Sequence, residues 1–307
     1  MSERSAVAGG SAVHLSRPFQ GYRLAHERAG SGPAVVLLHG WPGDRHDFAA
    51  VVPLLADRAT VITPDLRGFG ESDFHDGADV RAFSVEAQAA GVLDLLDELG
   101  VERAVVGGYD IGSRIGQQLA ALAPHRVAAL VLTPPLPGAG DRLLAAPVQR
   151  EFWYQVLHRL DLADRLFDGQ SAAVAAYLEH IWTHWSGPDH PVPAEDLRKL
   201  VELYSRPGAF TASIAWYRSR PHPSAVRPEE PPPSAERPAI PVEVLWPEFD
   251  PLFPSAWADR LDEWYADVRL TRLPGIGHFV PREAPEVFAA AIGRVLDGPA
   301  LPDVPGR

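Results

Sequence analysis

Short apolar runs alternate with stretches of helical spacing through the first 135 residues. Ala34–Leu38 (AVVLL) is continuously apolar between Gly32-Pro33 and His39-Gly40, the pattern of a strand buried on both faces. Residues 60–63 (TVIT), ended by Pro64, predict a second strand; 104–107 predict a third and 127–132 a fourth. Between them, Val85, Ala89, Val92, Leu93, Leu96 and Leu99 recur at helical spacing, and Gly100 supplies the stop. A second helix, rich in small residues, is predicted over 113–123 and ends at Pro124. Such alternation predicts a mostly parallel sheet with helices on both faces.

The alternation ends at Thr133-Pro134-Pro135. From about 138 to 235 the spacing is helical and rich in Trp, Tyr and His. Residues 221–241 hold eight prolines and read as a stiff linker. Strands resume at 241–246 and 267–273, and a last helix is expected from about 285 to 296. The predicted organisation is one α/β core in two parts, 18–135 and 239–297, interrupted by a helical insertion over 136–238. The first 17 residues and the tail from 298 are expected to be poorly ordered.

Composition narrows the chemistry. The 307 residues are 46% hydrophobic and 22% charged, ordinary for a chain that buries a sizeable core. Cysteine is absent, which removes disulfides, thiolate metal sites and a Cys nucleophile together. It is compatible with the cytoplasm, the expected location. The formal charge of −12 argues against nucleic acid as a partner. No run of about 18 apolar residues predicts a membrane span, and the first residues lack the apolar stretch of a signal peptide.

The most informative stretch is 105–116 (VVGGYDIGSRIG), which reads as strand, sharp turn, helix. Gly108 and Gly112 flank Asp110 at minus two and plus two, as in the G-x-S-x-G nucleophile elbow with Asp in place of Ser. The plain alternative is an Asp that caps the following helix. Two further signals favour chemistry. His39-Gly40-Trp41-Pro42 follows the first long strand and can aim the Trp41 N–H at the elbow. The Ile111 N–H is the natural second donor of an oxyanion hole. Near the C-terminus, GIGHF (275–279) sets His278 in a Gly-flanked loop, and WPEFD (246–250) sets Asp250 just after a strand. The order Asp110, Asp250, His278 is nucleophile, acid, histidine. Asp141 is a competing acid.

On these residues the chain resembles the epoxide hydrolases of the α/β-hydrolase fold, from about residue 18 onward. HGWPGD (39–44), PDLRGFGESD (64–73), GYDIGSR (108–114), WPEFD (246–250) and GIGHF (275–279) carry the resemblance. The insertion does too: FWYQ (152–155) and AWYR (215–218) look like the segments bearing that family's ring-opening tyrosines. The resemblance implies a helical cap, an Asp110 nucleophile, a His278 general base oriented by Asp250, and Tyr154 and Tyr217 as hydrogen-bond donors and acid to the epoxide oxygen. The expected pocket around a small-molecule epoxide is His39, Pro42, Tyr109, Trp153, Trp216 and Phe279, and the chemistry expected there needs no metal and no cofactor. Pro247, Ala215 and Tyr109 depart from the family's usual Gly, Asn and His.

The nucleophile type itself restricts the substrate. A carboxylate attacking an ester carbonyl gives a labile anhydride, whereas at a saturated carbon it gives a hydrolysable ester. Asp110 therefore points to an epoxide or an alkyl halide. A haloalkane or haloacetate dehalogenase is the alternative, since Trp41 with Trp153 or Trp216 can offer indole N–H groups to a halide. Ile111, where those relatives place Trp or Arg, offers none. A non-catalytic ligand-binding protein on the same scaffold is the third reading. His180, His184 and His190 lack the intervening carboxylate of a zinc motif, Gly68-x-Gly70 lacks the third glycine of a dinucleotide loop, and Trp182, Trp185, Trp257 and Trp264 read as core.

Overall fold

The computed structural model describes residues 12–75, 77–220 and 230–298. Among the described residues eight strands form one sheet: β1 (His14–Leu15), β2 (Ala25–Ala29), β3 (Ala34–Leu38), β4 (Thr60–Pro64), β5 (Ala104–Gly108), β6 (Val127–Leu132), β7 (Val242–Pro247) and β8 (Val268–Leu273). Their order is β1-β2-β4-β3-β5-β6-β7-β8. β1 and β2 join antiparallel to the β4 edge, and every pairing from β4 to β8 is parallel.

The continuous apolar runs become the middle of this sheet. Every residue of β3, β4, β5, β6 and β7 is buried. Neighbouring residues of β5 show why. A Cβ at Gly116, on helix Ile111–Leu122, would lie 3.3 Å from Val106 Cγ1, while one at Gly107 would lie 3.1 Å from Phe288, on helix Pro285–Leu296. Successive strand residues point to opposite faces, so those two helices cover the two sides.

Helix Val85–Glu98 starts at Ser84, whose side chain accepts from the Ala87 N–H, and stops at Gly100 with φ +68°. Between β6 and β7 the described residues form six α-helices, from Ala146–Glu151 to Ala209–Ser219. The stiff-linker expectation for 221–241 falls partly outside the described residues, at 221–229; beyond them Ser234–Glu236 forms one 3₁₀ turn. The N-terminal expectation needs correction. Residues 1–11 lie outside the description, but His14–Leu15 pairs with Ala25–His26 and the Arg17 N–H donates to Glu98 at 2.8 Å. The tail from 299 also lies outside it. No helix among the described residues is long and apolar enough to cross a membrane.

Candidate active site

The site begins at the end of β5. Asp110 leaves the strand with φ 50° and ψ −123°, a conformation strained for a residue with a Cβ. Two glycines permit the turn. A Cβ at Gly112 would collide with the carbonyl of Leu38, and one at Gly108 would lie 2.6 Å from the backbone of Gly112. Gly40 permits a third close approach, because its Cβ would lie 2.6 Å from Asp110 Cβ. The loop after β3 therefore presses on the elbow, and the Trp41 N–H donates to Asp110 Oδ1 at 2.8 Å. Ile111 is the first residue of the elbow helix, so its N–H has no intrahelical partner.

The other carboxylate oxygen faces the histidine. His278 Nε2 lies 3.5 Å from Asp110 Oδ2, an ion-pair distance that is long for a hydrogen bond. His278 Nδ1 lies 2.9 Å from Asp250 Oδ2. Asp250 is itself fixed, since its Oδ1 accepts from the N–H groups of Leu252 (2.8 Å) and Phe253 (3.3 Å). Asp141 sits exposed on a 3₁₀ turn, so the acid brought to His278 is Asp250. All three members are buried. Burial disfavours the imidazolium, but the charges of Asp250 and then Asp110 outweigh it, and the His278 pKa is pushed up to about 10.

The insertion supplies an aromatic enclosure. Tyr154 stacks on Trp41 with ring centroids 5.6 Å apart, and Tyr217 stands perpendicular to both, 5.7 Å from Tyr154 and 5.8 Å from Trp41. Both tyrosines are buried. Their pKa values are raised well above 10, Tyr154 by burial and then the charge of Asp110, Tyr217 by burial, Tyr154 and Asp110. Among the described residues no group of three or more His, Asp or Glu stands ready to hold a metal ion.

Comparison with known proteins agrees with this architecture. The family model for the alpha/beta hydrolase fold matches residues 33–285. The chain belongs to the α/β-hydrolase-fold family. It is 29% identical over 283 residues to the soluble epoxide hydrolase of Corynebacterium sp. strain C12, a match covering 89% of this chain and 93% of that one. A fluoroacetate dehalogenase of a Burkholderia species is 42% identical over 109 residues, about a third of each chain. A solved epoxide hydrolase without ligand superposes with a TM-score of 0.78 at 27% identity, covering 94% of this chain and 99% of that one.

In this α/β hydrolase some residues expected around the substrate stand elsewhere. Trp153 is 40% exposed and packs on Tyr177 and His180. Adjacent helical residues project about 100° apart, so the turn that sends Tyr154 inward sends Trp153 out. Trp216 is buried, with the Arg220 guanidinium 5.8 Å from its ring. His39 is a loop brace: its Nε2 accepts from the Leu66 N–H at 3.0 Å, and its Nδ1 lies 2.9 Å from the Gly40 carbonyl. Tyr109 lies beneath the site, edge-on to His278, with its hydroxyl donating to buried Asp47. Phe279 packs edge-on to His278 and against Trp185. The Pro42 carbonyl accepts from Trp182 Nε1 at 3.0 Å, tying the loop after β3 to the insertion.

Two residues at the site escape sequence reasoning. Trp185, read above as core, packs with ring centroids 5.0 Å from both His278 and Tyr154. His158 is fully buried between Trp41 (4.5 Å) and Tyr217 (4.8 Å), with Nε2 2.9 Å from the Tyr177 hydroxyl. Burial, and then Arg218, lower its pKa well below 6.5, so it stays neutral. The helical spacing of both is indistinguishable from that of core residues.

Proposed function

We propose that the protein hydrolyses an epoxide to a vicinal diol through a covalent ester of Asp110, with the helical insertion acting as the cap over the site. The observation that carries this reading is the placement of Tyr154 and Tyr217, two buried phenols crossed at 5.7 Å beside the loop that holds the Asp110 carboxylate.

In this reading each carboxylate oxygen has its own task. Oδ2, not held by Trp41, attacks one ring carbon. Oδ1 becomes the ester carbonyl oxygen, already at the Trp41 N–H. The carbon–oxygen bond of the ring breaks, and a tyrosine protonates the departing alkoxide. Esterification removes the charge of Asp110. That lowers the pKa of both tyrosines as the alkoxide needs its proton, and it lowers the pKa of His278. The imidazolium then returns a proton to the tyrosinate and becomes a neutral base. It takes a proton from water, the hydroxide adds to the Asp110 carbonyl carbon, and the Trp41 and Ile111 N–H groups hold the oxyanion. Collapse expels the diol oxygen with a proton, leaving carboxylate and imidazolium as at the start. Water is the single co-reactant.

Carbon–halogen cleavage by the same carboxylate is the second reading, favoured by the stretch shared with the fluoroacetate dehalogenase. Its halide donors are weakly provided. Trp41 Nε1 is directed at Ser213 Oγ (3.4 Å), Trp153 is exposed, and Trp216 packs under the Arg220 guanidinium. A panel of neutral epoxides and haloalkanes or haloacetates, assayed side by side, separates the readings. Diol without halide release supports the proposal; halide release without diol overturns it.

A further inference from the structure

His278 is attached to the rest of the molecule by more than its ring. Its backbone N–H donates to the Trp185 carbonyl at 2.7 Å, so the histidine loop hangs from the end of insertion helix Ser171–Trp185. The two backbones meet without side chains between them. A Cβ at Gly277 would collide with Gly187 N and the Trp185 carbonyl, and one at Gly187 would collide with the Gly275 carbonyl. Into this junction reaches Glu283, five residues after His278. Its Oε2 accepts from the N–H groups of Gly277 (2.6 Å) and Gly187 (2.9 Å), and its Oε1 accepts from the Phe279 N–H (3.1 Å). One carboxylate thus holds the residues on both sides of His278 and ties them to the insertion.

We infer that Glu283 is a positioning residue for the water-activating step: it fixes His278 against the insertion so that Nε2 points at the Asp110 carbonyl carbon. The inference rests on the ester mechanism proposed above. Three N–H donors converge on two oxygens, and charged acceptors make the stronger hydrogen bonds. Glutamine cannot reproduce the set. Its amide oxygen can take either the Phe279 N–H or the Gly187 and Gly277 pair, and its NH₂ then faces donors. Attack by Asp110 on the substrate does not use the His278 base, so the first step is spared. The second step depends on alignment of His278, water and ester, where a displacement of about 1 Å costs about 10²-fold.

The test is Glu283→Gln, followed in rapid-quench single turnover with an epoxide the wild type converts, by intact mass, and by ¹H NMR of the His278 Nδ1 proton shared with Asp250. The expected result is ester formation at the wild-type rate, diol release slowed by about 10²-fold, ester accumulation in the steady state, and a displaced Nδ1 resonance. Equal slowing of both steps, which general loosening would give, overturns the inference. So does an unmoved resonance with no ester build-up. If Glu283→Gln does not fold, Glu283→Asp, which keeps the charge one methylene short, is read in the same way. If the wild type opens no epoxide, the ester reading of the reaction fails, and the NMR comparison still decides whether Glu283 positions the ring.

Discussion

Trp41 and Tyr154 lie face to face, with ring centroids 5.6 Å apart and planes 1° from parallel. The residue whose N–H holds the Asp110 carboxylate thus also sets the plane of one phenol, across the boundary between core and insertion. Tyr217 closes the corner at right angles to both rings. Tyr154→Phe and Tyr217→Phe keep this packing and remove one hydroxyl each. Each is expected to slow ring opening by ~10²–10⁴-fold, the usual range for a general acid. The double variant is expected to form almost no ester. Pre-steady-state alkylation rates check this, and a double variant at full rate removes the tyrosines from the mechanism.

The elbow depends on space as well as conformation. At Gly112 an added methyl has backbone atoms of Leu38 and His39 in its way, which cannot swing aside as a side chain can. Gly112→Ala is expected to cost about 1–3 kcal/mol, the range for overpacking. Urea unfolding measures it, and unchanged stability with unchanged turnover would show that the elbow tolerates the shift.

The His278 pKa of about 10 lies above the ordinary value near 6.5. The folded state therefore binds the proton more tightly than the unfolded chain. The stabilisation is fully present below about pH 6.5 and is lost as pH rises through about 10. Glutamine at 278 has no such proton. The stability difference between wild type and His278→Gln is therefore expected to shrink from pH 6.5 to 10, as read by denaturant unfolding at several pH values. A difference constant over that range contradicts the assignment.

Much of the fold is legible because parallel strands buried on both faces must be written as continuous apolar runs, as at Ala34–Leu38. β2, with sequence AHERA, has no such run; it is a strand because β4 offers it a partner, and that information is not local. The elbow, Asp250 and His278 are legible because each lies in a short loop after a strand. The insertion is harder to read. Trp153 and Tyr154, or Trp216 and Tyr217, are neighbours in sequence but face different sides of a helix. Trp185 reaches the site because His278, 93 positions later, comes to it.

Esterification of Asp110 is the step that separates the proposed mechanism from direct attack of water on the epoxide. His278→Gln removes the base for the second step and leaves the carboxylate free to attack. Intact-mass measurement of this variant after exposure to an epoxide that the wild type converts is the most direct test. The expected result is protein heavier by the mass of one substrate, with the addition located on Asp110. An unchanged mass while diol still appears would contradict it, because water would then be attacking the epoxide itself.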